Sequence, residues 1–177
     1  MESDCVVVVC QFAAMRLRLL LPVVAIVASA AATGSAVANT SHEGWPRITG
    51  HLKMNKTDAS RPLTGGHRND ELLGGHGNDR IDGRGGRDVI WGDYKPGGQP
   101  TSQVDFLVGG DGADFIYGGH GTNYISGGAG NDWIKTHWGR GVVDCGSGRD
   151  VLYISRRAQR SYKIRHCERI SHRTLGY

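Results

Sequence analysis

The 177-residue chain is short of most of what builds an ordinary core. It has 5 Pro, 3 Phe and 3 Met, aromatic residues make up 7%, and hydrophobic residues reach only 38%. Such a composition supplies a conventional enzyme core poorly. Scarce Pro, with Gly off any strict three-residue period, excludes collagen. The chain holds no HExxH, no P-loop and no EF-hand loop. Ser147, in CGSGR, lacks the first Gly of a nucleophile elbow. The excess is in Gly, with 28 residues against a usual share of about 7%. An interior Gly costs about 1 kcal/mol against Ala in a helix, which argues against a helical bundle. Two readings survive, a flexible low-complexity segment or a repeat whose turns need Gly at fixed intervals. The length allows one domain with appendages.

The apolar residues concentrate near the start. Leu17–Ala38 reads LRLLLPVVAIVASAAATGSAVA, follows Arg16 and ends on Ala36-Val37-Ala38. A positive flank, an apolar stretch and an A-x-A exit predict a secretory signal peptide. Residues 1–38 are therefore the leader, with the signal proper from about Met15 and cleavage near Ala38. The expected location is secreted or cell-surface, with no retained membrane span. Cys5 and Cys10 leave with the leader, and Cys145 and Cys167 remain. An even pair in an exported chain predicts one disulfide, with two free thiols as the alternative. No CxxC or Cys/His spacing supports metal binding by them.

From Gly65 the chain divides every nine residues, as in GGHRNDELL, GGHGNDRID, GGDGADFIY and GGAGNDWIK. Across the irregular stretch GDYKPGGQ the phase returns with one residue deleted, so ten units span Gly65–Tyr153. The sixth position carries Asp70, Asp79, Asp88, Asp105, Asp114, Asn123, Asp132 and Asp150. The eighth carries Leu72, Ile81, Ile90, Leu107, Ile116, Ile125, Ile134, Val143 and Leu152. The Gly-rich half needs turn geometry. The aliphatic, flanked by outward residues, makes a minimal strand. Each unit is then half a coil. Nine aliphatics at about 1.5–3 kcal/mol each cannot order some ninety residues at about 1–2 kcal/mol each. Stacked carboxylates would also repel. A hard cation between turns answers both problems, because Ca²⁺ takes 6–8 oxygen ligands. An Asx-turn role is the alternative for each Asp.

These units resemble the repeats-in-toxin family, the hemolysin-type calcium-binding nonapeptide repeat. The resemblance implies an all-β fold, a parallel β-roll or right-handed β-solenoid of about ten half-coils. It also implies Ca²⁺ between turns, held by the sixth-position side chains and by Gly carbonyls, best at Gly110, Gly112, Gly119, Gly121, Gly128 and Gly130. About three to five ions are expected. Carried over by alternation, Asp70 pairs with Asp88 and Asp105 with Asn123 on one edge. Asp114 pairs with Asp132, and Asp132 with Asp150, on the other.

The flanks differ from the repeat. Residues 39–64 read as a degenerate capping coil, with Met54 and Leu63 in phase. Residues 154–177 hold seven Lys/Arg and one acid, whereas residues 65–153 hold eight basic and twelve acidic residues. DCGSGRD followed by CERI resembles the end of exported actinobacterial proteins carrying these repeats. The tail is read as a cap on the final coil, tied by Cys145 and Cys167, with polyanion binding as the alternative. Tyr162, Ile164 and Ile170 alternate as in a short strand.

Phe106, Phe115, Tyr124 and Trp133 occupy the outward seventh position, Phe106 beside Tyr124 and Phe115 beside Trp133. They stack across strands or form a contact surface. His67, His76 and His120 fall at the variable third position as solvated spacers. The expected function is an exported, non-enzymatic calcium-binding protein. The alternative is a calcium-scaffolded adhesin with a cell-surface glycan or protein as partner; nucleic acid is not expected. Residues 39–64 are too few to hold a catalytic domain.

Overall fold

Each nine-residue period folds as one turn and one strand, and the strands alternate between two parallel sheets. In a computed structural model of the chain, residues 44–55, 62–94 and 101–173 are described, all within one unit, Ala36–Tyr177. The signal segment, Cys5 and Cys10 lie outside the described residues. The first sheet runs β1 (Leu52–Met54), β3 (Glu71–Leu73), β5 (Val89–Trp91), β7 (Phe115–Tyr117), β9 (Trp133–Thr136), β11 (Val151–Ile154) and β13 (Arg169–Ser171). The second runs β2 (Leu63–Thr64), β4 (Arg80–Gly85), β6 (Val104–Asp111), β8 (Thr122–Ala129), β10 (Arg140–Ser147) and β12 (Tyr162–Arg165). Neighbouring strands pair in parallel throughout, as in Ile116↔Ile134 and Leu107↔Ile125. The result is an all-β parallel solenoid of about six turns.

All nine eighth-position aliphatics are buried in one core between the sheets. Leu63, Ile154, Ala158 and Tyr162 extend that core at its two ends. Gly at the fourth position is needed at Gly112 and Gly130, whereas Arg68 and Gln103 stand at the same position in other coils. Gly112 and Gly130 have φ of 139° and 137°, and a β-carbon on either would lie 1.5–1.6 Å from the carbonyl oxygen of the coil below.

Two expectations about the repeat are corrected. The phase across GDYKPGGQ is kept by an insertion, and there is no tenth unit. Most coils are offset by 18 residues, as Leu72↔Ile90, but the offset across this stretch is 26, as Ile90↔Ile116 and Ile81↔Leu107. Gly92 and Asp93 begin one turn and Ser102–Asp105 finish it. Gly74 stacks under Gly92, Gly119 over Asp93 and Gly121 over Gln103. Residues 94–101 are thus an eight-residue insertion within a single turn, and residues 95–100 lie outside the described residues. Eight is one less than a unit, which is why it counted as a unit with one residue deleted. The second correction concerns Met54. Lys53, and not Met54, aligns with Leu72 in β1. Met54 is exposed, and the Lys53 ammonium donates to the Thr64 carbonyl over the end of the core. Leu63 does keep the inward phase, opposite Ile81.

The tail closes the other end with more structure than one strand. A single-turn helix, α1 (Arg156–Gln159), is capped by Ser155, whose hydroxyl accepts from the Ala158 N–H. It turns the chain into β12, and β13 follows. Cys145 and Cys167 form a disulfide with Cα atoms 5.1 Å apart.

Candidate metal centre

The sixth position ends each turn just before the strand, and its side chain points into the roll. Asp70, Asp79, Asp88, Asp105, Asp114, Asn123, Asp132 and Asp150 are all 0–2% exposed. They form two ladders, one on each edge. On the first, the backbone N–H of each Asp donates to Oδ1 of the Asp one coil later. The distances are 2.7 Å for Asp70 to Asp88, 2.8 Å for Asp88 to Asp114, 2.9 Å for Asp114 to Asp132 and 2.8 Å for Asp132 to Asp150. On the second, the Asp79 N–H donates to Asp105 Oδ1 at 2.9 Å, and Asn123 follows Asp105 in register. The neighbour pairs expected by alternation are present, but their division between edges is not. The insertion moves Asp114, Asp132 and Asp150 onto the edge of Asp70 and Asp88, and leaves Asp105 and Asn123 with Asp79.

The second carboxylate oxygens separate the rungs into two kinds. At the N-terminal end both oxygens are taken by the protein. Asp70 Oδ2 accepts from the Gly66 N–H at 2.6 Å, and its Oδ1 from the backbone N–H of His51. Asp79 Oδ2 accepts from the Gly75 N–H at 3.0 Å, and its Oδ1 from the Asn55 amide at 2.6 Å. These two are turn-capping Asx residues in the sense of the alternative reading. In Asp88, Asp105, Asp114, Asp132 and Asp150, Oδ2 is buried without a hydrogen-bond partner. Buried polar atoms are nearly always paired, and a repeated exception points to an ion or water that belongs there.

Burial acts on these carboxyls as strongly as geometry. It pushes Asp88, Asp105, Asp114 and Asp132 up to about 7, and like charge on the neighbouring rungs adds to the rise. The N–H bonds from the coil below pull the other way. Burial raises Asp79, Asp93 and Asp150 as well. A divalent cation beside the row reverses this logic, because it becomes the largest local charge.

Space for a cation is kept open by the first-position Gly. A β-carbon on Gly83, Gly109 or Gly127 would stand 2.4–2.5 Å from Oδ2 of Asp88, Asp114 or Asp132, in that order. The same point lies 2.1–2.4 Å from the carbonyl oxygen of Gly109, Gly127 or Cys145 in the next turn. The carbonyls of Gly110, Gly112, Gly128 and Gly130 also face the equivalent Gly of the following coil. Among the described residues no group of three His, Cys, Asp or Glu side chains is placed to hold a metal. A cation here must therefore draw most of its shell from backbone carbonyls. That donor set suits a hard ion such as Ca²⁺, and not Zn²⁺, which takes Cys, His or carboxylate side chains.

The family described as RTX calcium-binding nonapeptide repeat (4 copies) matches residues 64–93 and 101–134. Residues 64–134 are RTX calcium-binding nonapeptide repeats. The matched stretches stop at the insertion and resume at its end. RTX repeats bind Ca²⁺ between turns, and the Asp ladders lie between turns here. Only this repeat domain is identified, with no catalytic domain. No curated protein and no solved structure matches the chain. The ladder geometry continues past residue 134 to Asp150 without change.

On the second edge the RTX pattern is closed by hydrogen bonds. The Asn123 amide donates to the His120 carbonyl at 3.1 Å and to the Tyr162 hydroxyl at 2.9 Å, and Tyr162 donates to the Trp138 carbonyl at 3.0 Å. Gly141, the next sixth position, has no side chain, and Tyr162 from the tail fills that end. Asp93 is also on this edge, accepting from the Gln103 amide and, at 2.6 Å, from the His120 N–H. It pins the base of the insertion. Sequence reasoning missed Asp93, His51, Asn55 and Tyr162, which lie off the sixth position, and Glu168, which keeps the 18-residue spacing from Asp150 but stands outside the Gly-rich units.

The outward aromatics split between the faces. Phe106 and Tyr124 stack at 4.9 Å with planes 10° apart, and are 44% and 42% exposed. Phe115 and Trp133 meet at 5.7 Å on the other sheet and are half-buried. Trp45 packs over that same sheet, donating to the Tyr117 hydroxyl at 2.8 Å. His67 is exposed as a spacer should be, but His120 stacks on Trp138 at 5.6 Å.

Proposed function

We propose that the protein is an exported, non-enzymatic calcium-binding protein whose β-roll folds when Ca²⁺ enters the spaces between turns. The observation that carries this reading is the set of five buried carboxylate oxygens without partners, on Asp88, Asp105, Asp114, Asp132 and Asp150. Bound Ca²⁺ supplies positive charge and oxygen coordination that a thin core of single aliphatics lacks. The carboxylates and Gly carbonyls already face one another, so each ion links two coils. Binding to the folded chain alone stabilises it by mass action. The five oxygens agree with about three to five ions. The signal segment Leu17–Ala38 supports export to a calcium-rich exterior, secreted or at the cell surface. Among the described residues no helix is long and apolar enough to cross a membrane. The test is far-UV circular dichroism. Disorder in chelator and β-structure in millimolar Ca²⁺ are expected. Identical spectra with no calorimetric binding would overturn the reading.

A second reading is a surface-interaction module in which Ca²⁺ is scaffolding, with a cell-surface glycan or protein as partner. It is favoured by the exposed Phe106–Tyr124 pair beside exposed Val108. Loss of adhesion in Phe106→Ala with Tyr124→Ala, at unchanged calcium binding, would support it. Unchanged adhesion would remove it.

A further inference from the structure

We infer that Glu168, outside the repeats, forms with Asp150 a further cation site at the C-terminal end of the first ladder. The inference rests on the calcium reading above. The Asp150 N–H donates to Glu168 Oε2 at 2.8 Å, across 18 residues. The same bond, at the same spacing, joins Asp132 to Asp150 one rung earlier. Glu168 is thus the last rung of the ladder, supplied by the tail.

The change from Asp to Glu has a geometric cause. Asp144 pairs with Arg165 and Val151 with Arg169. Four residues of the tail therefore cover the turn that seven cover in the coil before it. The shorter turn has no Gly-rich arc, yet Glu168 keeps the sixth-position register, since Arg169 stands opposite Val151 as Val151 stands opposite Trp133. A side chain one methylene longer than Asp reaches back to the Asp150 N–H. The disulfide fixes the adjacent residue, joining Cys167 to Cys145 at the head of the turn that ends in Asp150.

The second independent observation is Asp150 itself. It is 1% exposed, and its Oδ2 is buried without a partner. In the coil below, the equivalent oxygen of Asp132 opens toward the first-position carbonyl of the next turn, that of Cys145. By the same register, Asp150 Oδ2 opens toward the turn that carries Glu168. The two ends of the ladder are therefore unlike. At the N-terminal end Asp70 is satisfied by His51 and by its own turn. At the C-terminal end a carboxylate that already lacks a partner is given a second carboxylate. Two acidic groups brought together beside an orphaned oxygen call for a divalent cation. Glu168 is exposed, so this site exchanges with solvent more readily than the enclosed rungs.

The experiment is native mass spectrometry of the oxidised protein over a CaCl₂ titration, comparing wild type with Glu168→Gln. Gln keeps an acceptor for the Asp150 N–H and removes only the charge. Glu168→Gln is expected to hold one ion fewer at saturation, with the other binding steps moved less than twofold. The wild-type Glu168 carboxyl carbon resonance is expected to shift at the calcium concentration that fills this last site. An equal ion count, or a carboxyl resonance unmoved by calcium, overturns the inference and leaves the calcium reading standing. A wild type that binds no calcium overturns both.

Discussion

Asp70 and Asp132 occupy the same position of the same repeat, and they differ in what closes their second oxygen. Asp70 is satisfied by Gly66 and His51, whereas Asp132 Oδ2 has no partner. Asp132→Asn should therefore raise the Ca²⁺ concentration at the folding midpoint at least tenfold, about 1.4 kcal/mol. Asp70→Asn should move it less than twofold. Calcium titrations followed by circular dichroism check both, and equal shifts would show that position alone decides the ligand. The ionisation of these residues carries a second prediction. With no ion bound, burial holds Asp88, Asp105, Asp114 and Asp132 at about 7, above the ordinary 3.8. The folded state then binds more protons than the unfolded chain between those values. Its ion-free stability is fully present below pH 3.8 and drains away as pH rises through about 7. In chelator the β-signal should grow as pH falls from 7.5 to 5. In calcium the folding midpoint should not climb over the same interval, because the unfolded chain and the calcium-bound roll both hold these carboxylates ionised there. An ion-free signal indifferent to pH would refute the burial argument.

At the scale of elements, the insertion is the informative feature. Removing Tyr94–Thr101 joins Asp93 to Ser102 and gives GDSQVDFLV, a unit of ordinary length. The 26-residue offsets from Ile81 to Leu107 and from Ile90 to Ile116 then become 18. The shortened protein should keep its β-content and its ion count, and loss of either would mean that the insertion is part of a site. The same feature explains what could be read from the sequence. The period, the inward aliphatics and the buried sixth position follow from side-chain alternation, which is local. The division of the carboxylates between edges is not local. A segment of eight residues keeps the count and swaps the edges, and only strand pairing reveals it. Lys53 escaped for a related reason, since the first coil is offset by 19 residues and breaks the phase, whereas Glu168 keeps the 18-residue spacing and escaped because it is a Glu outside the Gly-rich units. Cys145–Cys167 was accessible to a count of cysteines in a chain read as exported.

At the scale of the whole molecule, a roll whose coils repeat one interface has no internal reason to end. Every coil offers the next a parallel edge and a row of acceptors, and a second molecule could dock there as well as a further coil. Such head-to-tail contact does not close and grows into a filament. The tail opposes this in two ways. The shortened turn breaks the spacing that another coil would need. The final strands β12 and β13 present Lys163, Arg165 and Arg169 to solvent, and the opposite end carries Lys53 after His51. Positive charge meets positive charge when two rolls approach end to end, a familiar guard on sheet edges. The basic tail is thus a terminator. It ends a pattern that, left to its own repeat, describes a fibre.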